Sequence, residues 1–190
     1  STGFNDAAWS SGTGQLGYGD GDESTIVSYG GNAANKYITT YFRKNITIGS
    51  TSSYLDYTMS VKRDDGIIVY IDGTEVYRNN IAAGAFSYLT LAANATDDGN
   101  TPQSVTLSLA QLPTGNHTIA VEIHQNTINS SDITFDLELV ANESTIVAFG
   151  GAWKYLDNGT DQGTGWRASV FNDAAWALGN AELGYGDGDE

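Results

Sequence analysis

The chain has 190 residues, 40% of them hydrophobic and 16% charged, so it can build a core but is poor in the charged residues that favour helices. It carries 8 basic and 23 acidic residues, a net charge of −15, which disfavours nucleic-acid binding and favours cations, Ca²⁺ above all. The sequence has no cysteine, which excludes disulfides and thiolate metal sites, and no apolar run long enough to span a membrane.

Alternating and β-branched segments predict seven strands joined by polar turns. The dipeptide Asp72-Gly73 lies between two of them and is typical of a type I′ hairpin turn. A polar loop is expected at 92–103, and a single helical turn at 172–176. The pattern predicts an all-β fold, a jelly-roll β-sandwich. The predicted strands are 37–48, 54–63, 66–71, 74–77, 104–109, 118–124 and 133–140.

The sequence repeats itself at a domain-sized interval. FNDAAW stands at 4–9 and again at 171–176, and LGYGDGDE at 16–23 and 183–190, so both pairs are offset by 167 residues. Between residues 4 and 23, 15 of 20 positions match without a gap. We therefore expect one unit of a tandem array, offset within its repeat or circularly permuted.

In this interpretation, residues 1–23 end the opening segment of one unit, 24–143 form the body of the sandwich, and 144–190 open the next unit. The body then lacks at least one strand of its own, which leaves an edge or a core groove. The strand comes from the same chain folding back or from a neighbouring copy, and the sequence favours the neighbour. The residues expected to enter the core are Ile146, Val147, Phe149 and Trp153.

The segments YFRKNITI, SVKRDDGIIVYIDGTEVY and HTIAVEIHQN resemble the sugar-binding jelly roll of family 2 glycoside hydrolases, and FNDAAW resembles a turn of that domain. The wider group is the galactose-binding-like superfamily. WKYLDNGTDQGTGWR and the LGYGDGDE tail are similar to a repeated module of large bacterial secreted proteins and adhesins. The resemblance implies the fold and an extracellular location, reached through an export signal upstream of this segment.

The run that begins at Asp64 and Asp65 also resembles sugar-binding domains of the protective-antigen type. In some of those domains two adjacent aspartates hold Ca²⁺, and the ion holds a sugar. The resemblance implies the same role for Asp64 and Asp65.

Carboxylates concentrate in two further loops. GDGDE places Asp20, Asp22 and Glu23 together, and its repeat supplies Asp187, Asp189 and Glu190. Carboxylates this close repel unless a cation screens them, so we expect a Ca²⁺ loop, with a solvated acidic turn as the alternative. Asp157 and Asp161 are a further candidate pair, with local Asx turns as the alternative.

The aromatic residues allow two interpretations. The four tryptophans either pack in the core, which we favour, or form a platform for sugar stacking. Trp166 and Tyr18 are the candidate ligand contacts, whereas His117 and His124 are expected to be structural. The tryptophans are Trp9, Trp153, Trp166 and Trp176.

No nucleophile motif, phosphate loop or dinucleotide fingerprint occurs, so we expect a chain that is not an enzyme. The predicted function is a Ca²⁺-stabilised extracellular repeat that assembles head to tail with copies of itself in a fibre, sheath or adhesin. The alternative is a carbohydrate-binding module with a polysaccharide partner.

Overall fold

The computed structural model describes residues 3–144 and 147–184. The chain divides into two compact units, Ser1–Ser144 and Thr145–Glu190. The described part contains no helix long and apolar enough to cross a membrane.

Within the described residues, the first unit has nine strands, and the second has two strands and one short 3₁₀ helix. In chain order the strands are β1 (Leu16–Tyr18), β2 (Thr25–Ile26), β3 (Thr39–Ile48), β4 (Tyr54–Asp64), β5 (Gly66–Ile71), β6 (Thr74–Asn79), β7 (Gln103–Leu107), β8 (Gly115–His124), β9 (Ile133–Glu143), β10 (Ala152–Tyr155) and β11 (Ala177–Asn180). The 3₁₀ helix is Gly165–Arg167.

The first unit is a β-sandwich, as the sequence predicts. One sheet has the order β2-β1-β9-β4-β7 and the other the order β3-β8-β5-β6. Alternate residues of β4 point inward, so Tyr57, Met59 and Val61 are each at most 1% exposed. They pack against side chains such as Ile67 and Val121 of the second sheet, which places one continuous core between the layers.

The predicted hairpin is confirmed between β5 and β6. Asp72 has φ 52° and Gly73 has φ 86°, the two positive angles that a type I′ turn requires. The Asp72 carboxylate accepts the Thr118 N–H at 2.8 Å and contacts His117 Nδ1 at 2.6 Å. This carboxylate holds the pKa of His117 above its usual range, and the contacts tie the turn to β8.

In the second unit, β10 and β11 form an antiparallel pair. The helical turn predicted at 172–176 is wrong, because these residues form a non-helical turn in which Asn172 Oδ1 accepts the Ala174 N–H at 3.0 Å. The helical residues lie earlier in the chain, at Gly165–Arg167.

The expectation that the tryptophans pack in the core is wrong. Trp9 is 42% exposed, Trp153 51% and Trp166 47%, and Trp176 is half-buried. The reason is visible in the FNDAAW turn, where Trp9 packs edge-on against Phe4 with ring centroids 5.6 Å apart. This local aromatic pair lies on the surface instead of inserting between the sheets.

Candidate metal centre

Carboxylates converge at one end of the sandwich, where β4 ends and β9 begins. Asp64 is the last residue of β4 and pairs with Thr134 of β9, so it lies beside Asp132, which directly precedes β9. Strand β1 pairs with the same part of β9 and brings Asp20 to this end, where Asp20 Oδ2 accepts the Thr134 hydroxyl at 2.9 Å. Residues far apart in sequence thus meet because their strands are neighbours in one sheet.

Asp20, Asp98 and Asp132 form the group best placed to hold a cation. Each offers a carboxylate oxygen, and the three oxygens lie within 4.8 Å of one another. Ca²⁺ binds oxygen ligands at about 2.3–2.6 Å, so ligands of one ion lie no more than roughly 5 Å apart. The distances and the all-oxygen donor set therefore fit a single Ca²⁺.

Asp132 carries an unsatisfied oxygen at this place. The residue is 5% exposed, and its Oδ2 has no hydrogen-bond partner among the described residues, whereas Oδ1 accepts the hydroxyl of Ser131. A buried carboxylate oxygen without a partner is costly, and a bound cation removes that cost.

Asp64 shows the same need for positive charge. Burial raises the pKa of Asp64 to about 9, aided by a hydrogen bond with Asp132 and by the charges of Asp65, Asp132 and Asp98. Two carboxyl groups can hydrogen-bond to each other only when one keeps a proton. A cation bound here would take the place of that proton.

Asp65 is 2% exposed and joins two loops. Its Oδ1 accepts the Ala95 N–H at 3.0 Å, and its Oδ2 accepts the Asn126 N–H at 2.7 Å. Both oxygens are thus engaged by backbone donors. Asp65 holds the loop that carries Asp98 against the loop that leads to Asp132.

Asp64, Asp98 and Asp132 line a polar cavity of about 440 Å³, to which Asp20 does not contribute, and none of the described lining residues is basic. The nearby Arg63 binds Asp97 instead, with its guanidinium 2.7 Å from the Asp97 carboxylate. This ion pair keeps Asp97 out of the cluster, so that Asp98 alone of the two adjacent aspartates joins it. The other lining residues include Asn94, Thr96 and Asn126.

The GDGDE loop folds on itself more than the sequence predicts. Glu23 accepts the N–H groups of Asp20 and Gly21 at 2.9 and 3.0 Å, and these bonds hold its pKa below the usual range. Asp22 accepts the amide of Gln15 at 2.8 Å. Asp20, Asp22 and Glu23 also have oxygens within 4.8 Å of one another, so Asp20 belongs to both groups.

Asp157 and Asp161 lie in the second unit and are exposed. Asp161 Oδ1 accepts the Gly163 N–H at 2.7 Å, an Asx turn, and Asn158 makes a similar contact with Thr160. Neither aspartate joins a group of three potential ligands within the described ranges. The repeat carboxylates Asp187, Asp189 and Glu190 lie outside the described residues.

Of the two candidate sugar contacts, Tyr18 is not placed for stacking. It is 6% exposed, and burial together with the charge of Asp132 raises its pKa to about 12. Trp166 is exposed, with the Arg167 guanidinium 5.7 Å from its ring centroid.

His124 lies at the end of β8 and has no exposed surface. Its Nδ1 lies 2.8 Å from the Thr90 carbonyl and its Nε2 3.2 Å from Glu122. These contacts, like those of His117, agree with the structural role predicted from the sequence.

The residues expected to enter the core of a neighbouring copy lie in the second unit. Ile146 is outside the described residues, and Val147 and Phe149 are exposed and not part of a strand. Trp153 lies in β10 and is 51% exposed.

Sequence reasoning missed Asp98 and Asp132. Asp98 stands in Asp97-Asp98-Gly99, which echoes Asp64-Asp65-Gly66, and Asp132 directly precedes an alternating strand just as Asp64 directly ends one. These signals were present, but their meaning depends on the pairing of β4 with β9.

No family model and no curated protein matches the sequence. Solved structures similar to this chain include three α-L-rhamnosidases, each aligned over 78% of the chain. They come from Streptomyces avermitilis (22% identity, TM-score 0.41), Aspergillus terreus (16%, 0.38) and Dictyoglumus thermophilum (13%, 0.33). The chain spans 13%, 20% and 18% of those proteins, respectively.

Proposed function

We propose that the chain is a non-catalytic, Ca²⁺-binding β-sandwich repeat that serves outside the cell as a structural or adhesive module. The observation that carries the proposal is the buried Asp132 oxygen without a partner, within 4.8 Å of carboxylate oxygens of Asp20 and Asp98. The three residues come from three separate loops, so one ion would join these loops at the end of the sandwich. Extracellular Ca²⁺ modules commonly bind with dissociation constants of about 0.1–1 mM.

The geometry favours binding over catalysis. A carboxyl pair that cleaves a glycoside stands roughly 5–9.5 Å apart, with the sugar between the two groups. In this cluster the carboxylate oxygens of Asp20, Asp98 and Asp132 lie within 4.8 Å of one another, closer than that range. We expect no turnover of glycosides or esters, and hydrolysis that is lost on Asp64→Asn would contradict this proposal.

The test is thermal unfolding in chelator and in millimolar Ca²⁺. A cation that binds only the folded state raises the melting temperature. Asp98→Asn removes a ligand of the inner group and should abolish most of the rise, whereas the matched variant Asp22→Asn should retain it. An unchanged melting temperature with Ca²⁺ would contradict the proposal, and loss of the rise in Asp22→Asn alone would move the ion to the GDGDE loop.

A second candidate is a carbohydrate-binding module in which the ion holds sugar hydroxyls. The observation that favours it is the cavity volume of about 440 Å³, far more than one ion fills, with Asn94, Thr96 and Asn126 along its walls. A glycan array probed with and without Ca²⁺ separates the two functions. Retention of a glycan that disappears in chelator and in Asp98→Asn supports the second candidate.

A further inference from the structure

The two copies of the FNDAAW motif adopt the same local structure, one in each unit. The rings of Phe4 and Trp9 are 5.6 Å apart, and those of Phe171 and Trp176 are 5.8 Å apart. The tryptophan N–H closes the same turn in both, at 2.9 Å and 3.0 Å. The segment after the motif in one unit can therefore be compared with its counterpart in the other.

In the second unit the motif runs into β11, which pairs with β10. Trp153 lies opposite Gly179, and Tyr155 lies opposite Ala177. The Ala181 N–H donates to the Gly151 carbonyl at 2.9 Å. Hydrogen-bonded pairs alternate along an antiparallel ladder, so Gly179 and Ala177 also exchange backbone hydrogen bonds with β10, whereas the residues between them face away.

In the first unit the corresponding segment is 10–13, because the repeat offset is 167 residues. Thr13 corresponds to a residue that faces away, and its N–H and carbonyl are both bonded to the Thr25 hydroxyl, at 2.9 and 2.8 Å. Ser10 and Gly12 correspond to Ala177 and Gly179, and their backbone groups make no hydrogen bond within the described residues. Ser11 likewise makes no backbone hydrogen bond within the described residues, so the backbone of 10–12 is open to a further strand, including the groups of Ser10 and Gly12 whose counterparts face β10.

An apolar groove adjoins this segment. Its volume is about 450 Å³, and Phe42, Val121, Phe135 and Leu137 line it together with Gly12. Strand β3, which carries Phe42, is the edge strand of its sheet, so its outer backbone groups have no strand partner among the described residues. The first unit thus presents an open strand position beside a groove that reaches buried and half-buried core side chains.

The aspartate of the FNDAAW motif forms an ion pair in both units. In the second unit Asp173 binds Lys154 of β10 at 2.7 Å. In the first unit the equivalent Asp6 binds Arg43 of β3 at 2.9 Å. Arg43 therefore occupies the position at Asp6 that a β10 lysine occupies at Asp173.

The second unit has exposed apolar side chains, which complement the groove of the first unit. None of its described residues is fully buried, and Phe149 and Trp153 are both exposed. A pair of short strands without a core is marginally stable alone, so β10 gains burial when it leaves β11 for a groove.

We propose that the open position beside residues 10–13 accepts β10 of a second copy of this chain, in the register that β10 has with β11. Trp153 of the second copy then lies opposite Gly12, Lys154 opposite Ser11, and Ala152 opposite Thr13. Residues 10–13 and 177–180 match only at Gly12 and Gly179, so the exchange depends on backbone pairing. Strand exchange between copies, repeated head to tail, builds an array. The inference extends the proposed role as an assembling repeat, but it is independent of the cation.

The chain has no cysteine, so a disulfide trap is clean. Lys154 and Ser11 form a pair without backbone hydrogen bonds in the proposed register, and Cα atoms in such pairs lie about 4.5 Å apart, within disulfide range. A Ser11→Cys chain is mixed with a differently tagged Lys154→Cys chain under mild oxidation. The matched control replaces Lys154→Cys with Ala152→Cys, two residues out of register. Far-ultraviolet circular dichroism checks that each variant is folded.

We expect several-fold more mixed disulfide from Lys154→Cys than from Ala152→Cys, in chelator as in Ca²⁺, and less when Trp153→Ala is added to the donor. Equal yields from the two donors would overturn the register, because they indicate random collision. A double variant, Ser11→Cys with Lys154→Cys, tests which chain supplies β10. If it forms only an intrachain disulfide, β10 comes from the same chain and the proposal of a second copy is overturned. Because the trap is read in chelator, its failure is separate from a failure of the cation site.

Discussion

The substitution Asp132→Asn should have opposite effects on stability in chelator and in Ca²⁺. It keeps the shape of the side chain and the oxygen that accepts the Ser131 hydroxyl, but replaces the unpartnered Oδ2 by an amide nitrogen. That nitrogen is a donor placed among carboxylate acceptors, so it can hydrogen-bond to a neighbouring carboxylate. A hydrogen bond to a charged group contributes about 1.5–3 kcal/mol.

The loss of the negative charge of Asp132 also stabilises the variant in chelator. Two ionised carboxylates at the 4.8 Å limit repel by about 3.5 kcal/mol at an effective dielectric constant of about 20. Protonation of the pair already relieves most of this repulsion, so we expect a net gain of about 1–2 kcal/mol in chelator, less than the stabilisation that Ca²⁺ gives the wild type. That gain raises the melting temperature by roughly 2–10 °C for a chain of this size.

In Ca²⁺ the order reverses. A hundredfold excess of ion over its dissociation constant stabilises the wild type by about 2.7 kcal/mol, which the variant largely loses. Scanning calorimetry in both buffers measures the two differences, with Glu138→Gln, which removes an exposed charge from the following strand β9, as the control. A melting temperature lowered equally in both buffers would refute the reasoning, because it would make Asp132 an ordinary structural residue.

Three further predictions concern pH, a loop contact and a glycine. The pKa of Asp64 is raised to about 9 in the folded chain, above the unfolded value of about 3.9. In chelator, the stability of the chain should therefore fall as pH rises from about 4 to 9, and Ca²⁺ should flatten this fall. A stability that does not change with pH in chelator would contradict the raised pKa. Asp65→Ala should lower the free energy of unfolding in urea by about 2–5 kcal/mol, because two backbone N–H donors lose their acceptor. The Asp98 side chain accepts no hydrogen bond within the described residues, so Asp98→Ala should not destabilise the chain in chelator. Gly17→Ala should destabilise β1 and weaken Ca²⁺ binding, because the added Cβ would stand 2.0 Å from the Ile133 carbonyl oxygen. The control Gly49→Ala, with open space around it, should be tolerated. Equal melting temperatures for the two variants would contradict the pairing of β1 with β9.

Local sequence pattern predicted the long strands well. Strand β4 alternates without interruption from Tyr57 to Val61, and the Asp72-Gly73 turn has one favoured geometry, so neither depends on distant residues. Strands β1 and β2 were missed because they have three and two residues, too few for any period to be visible. Their placement depends on pairing with β9.

The metal site could be predicted only in part, because it too depends on which distant strands pair. Asp20, Asp64 and Asp65 stand in conspicuous acidic runs, but which of them share a cavity depends on β1, β4 and β9 being neighbours. Asp132 is a single aspartate in a serine-rich loop and becomes notable only once β9 lies beside β4. Burial decided the rest: Tyr18 looks like a ligand contact in sequence, yet its ring lies inside the sandwich.

The most direct test of the central claim is an anomalous difference map from crystals grown with Ca²⁺, recorded at long wavelength where the ion scatters anomalously. The account predicts one peak in contact with the carboxylates of Asp20, Asp98 and Asp132, at about 2.3–2.6 Å from their oxygens. Well-ordered carboxylates at this place with no peak between them, at millimolar Ca²⁺, would contradict it.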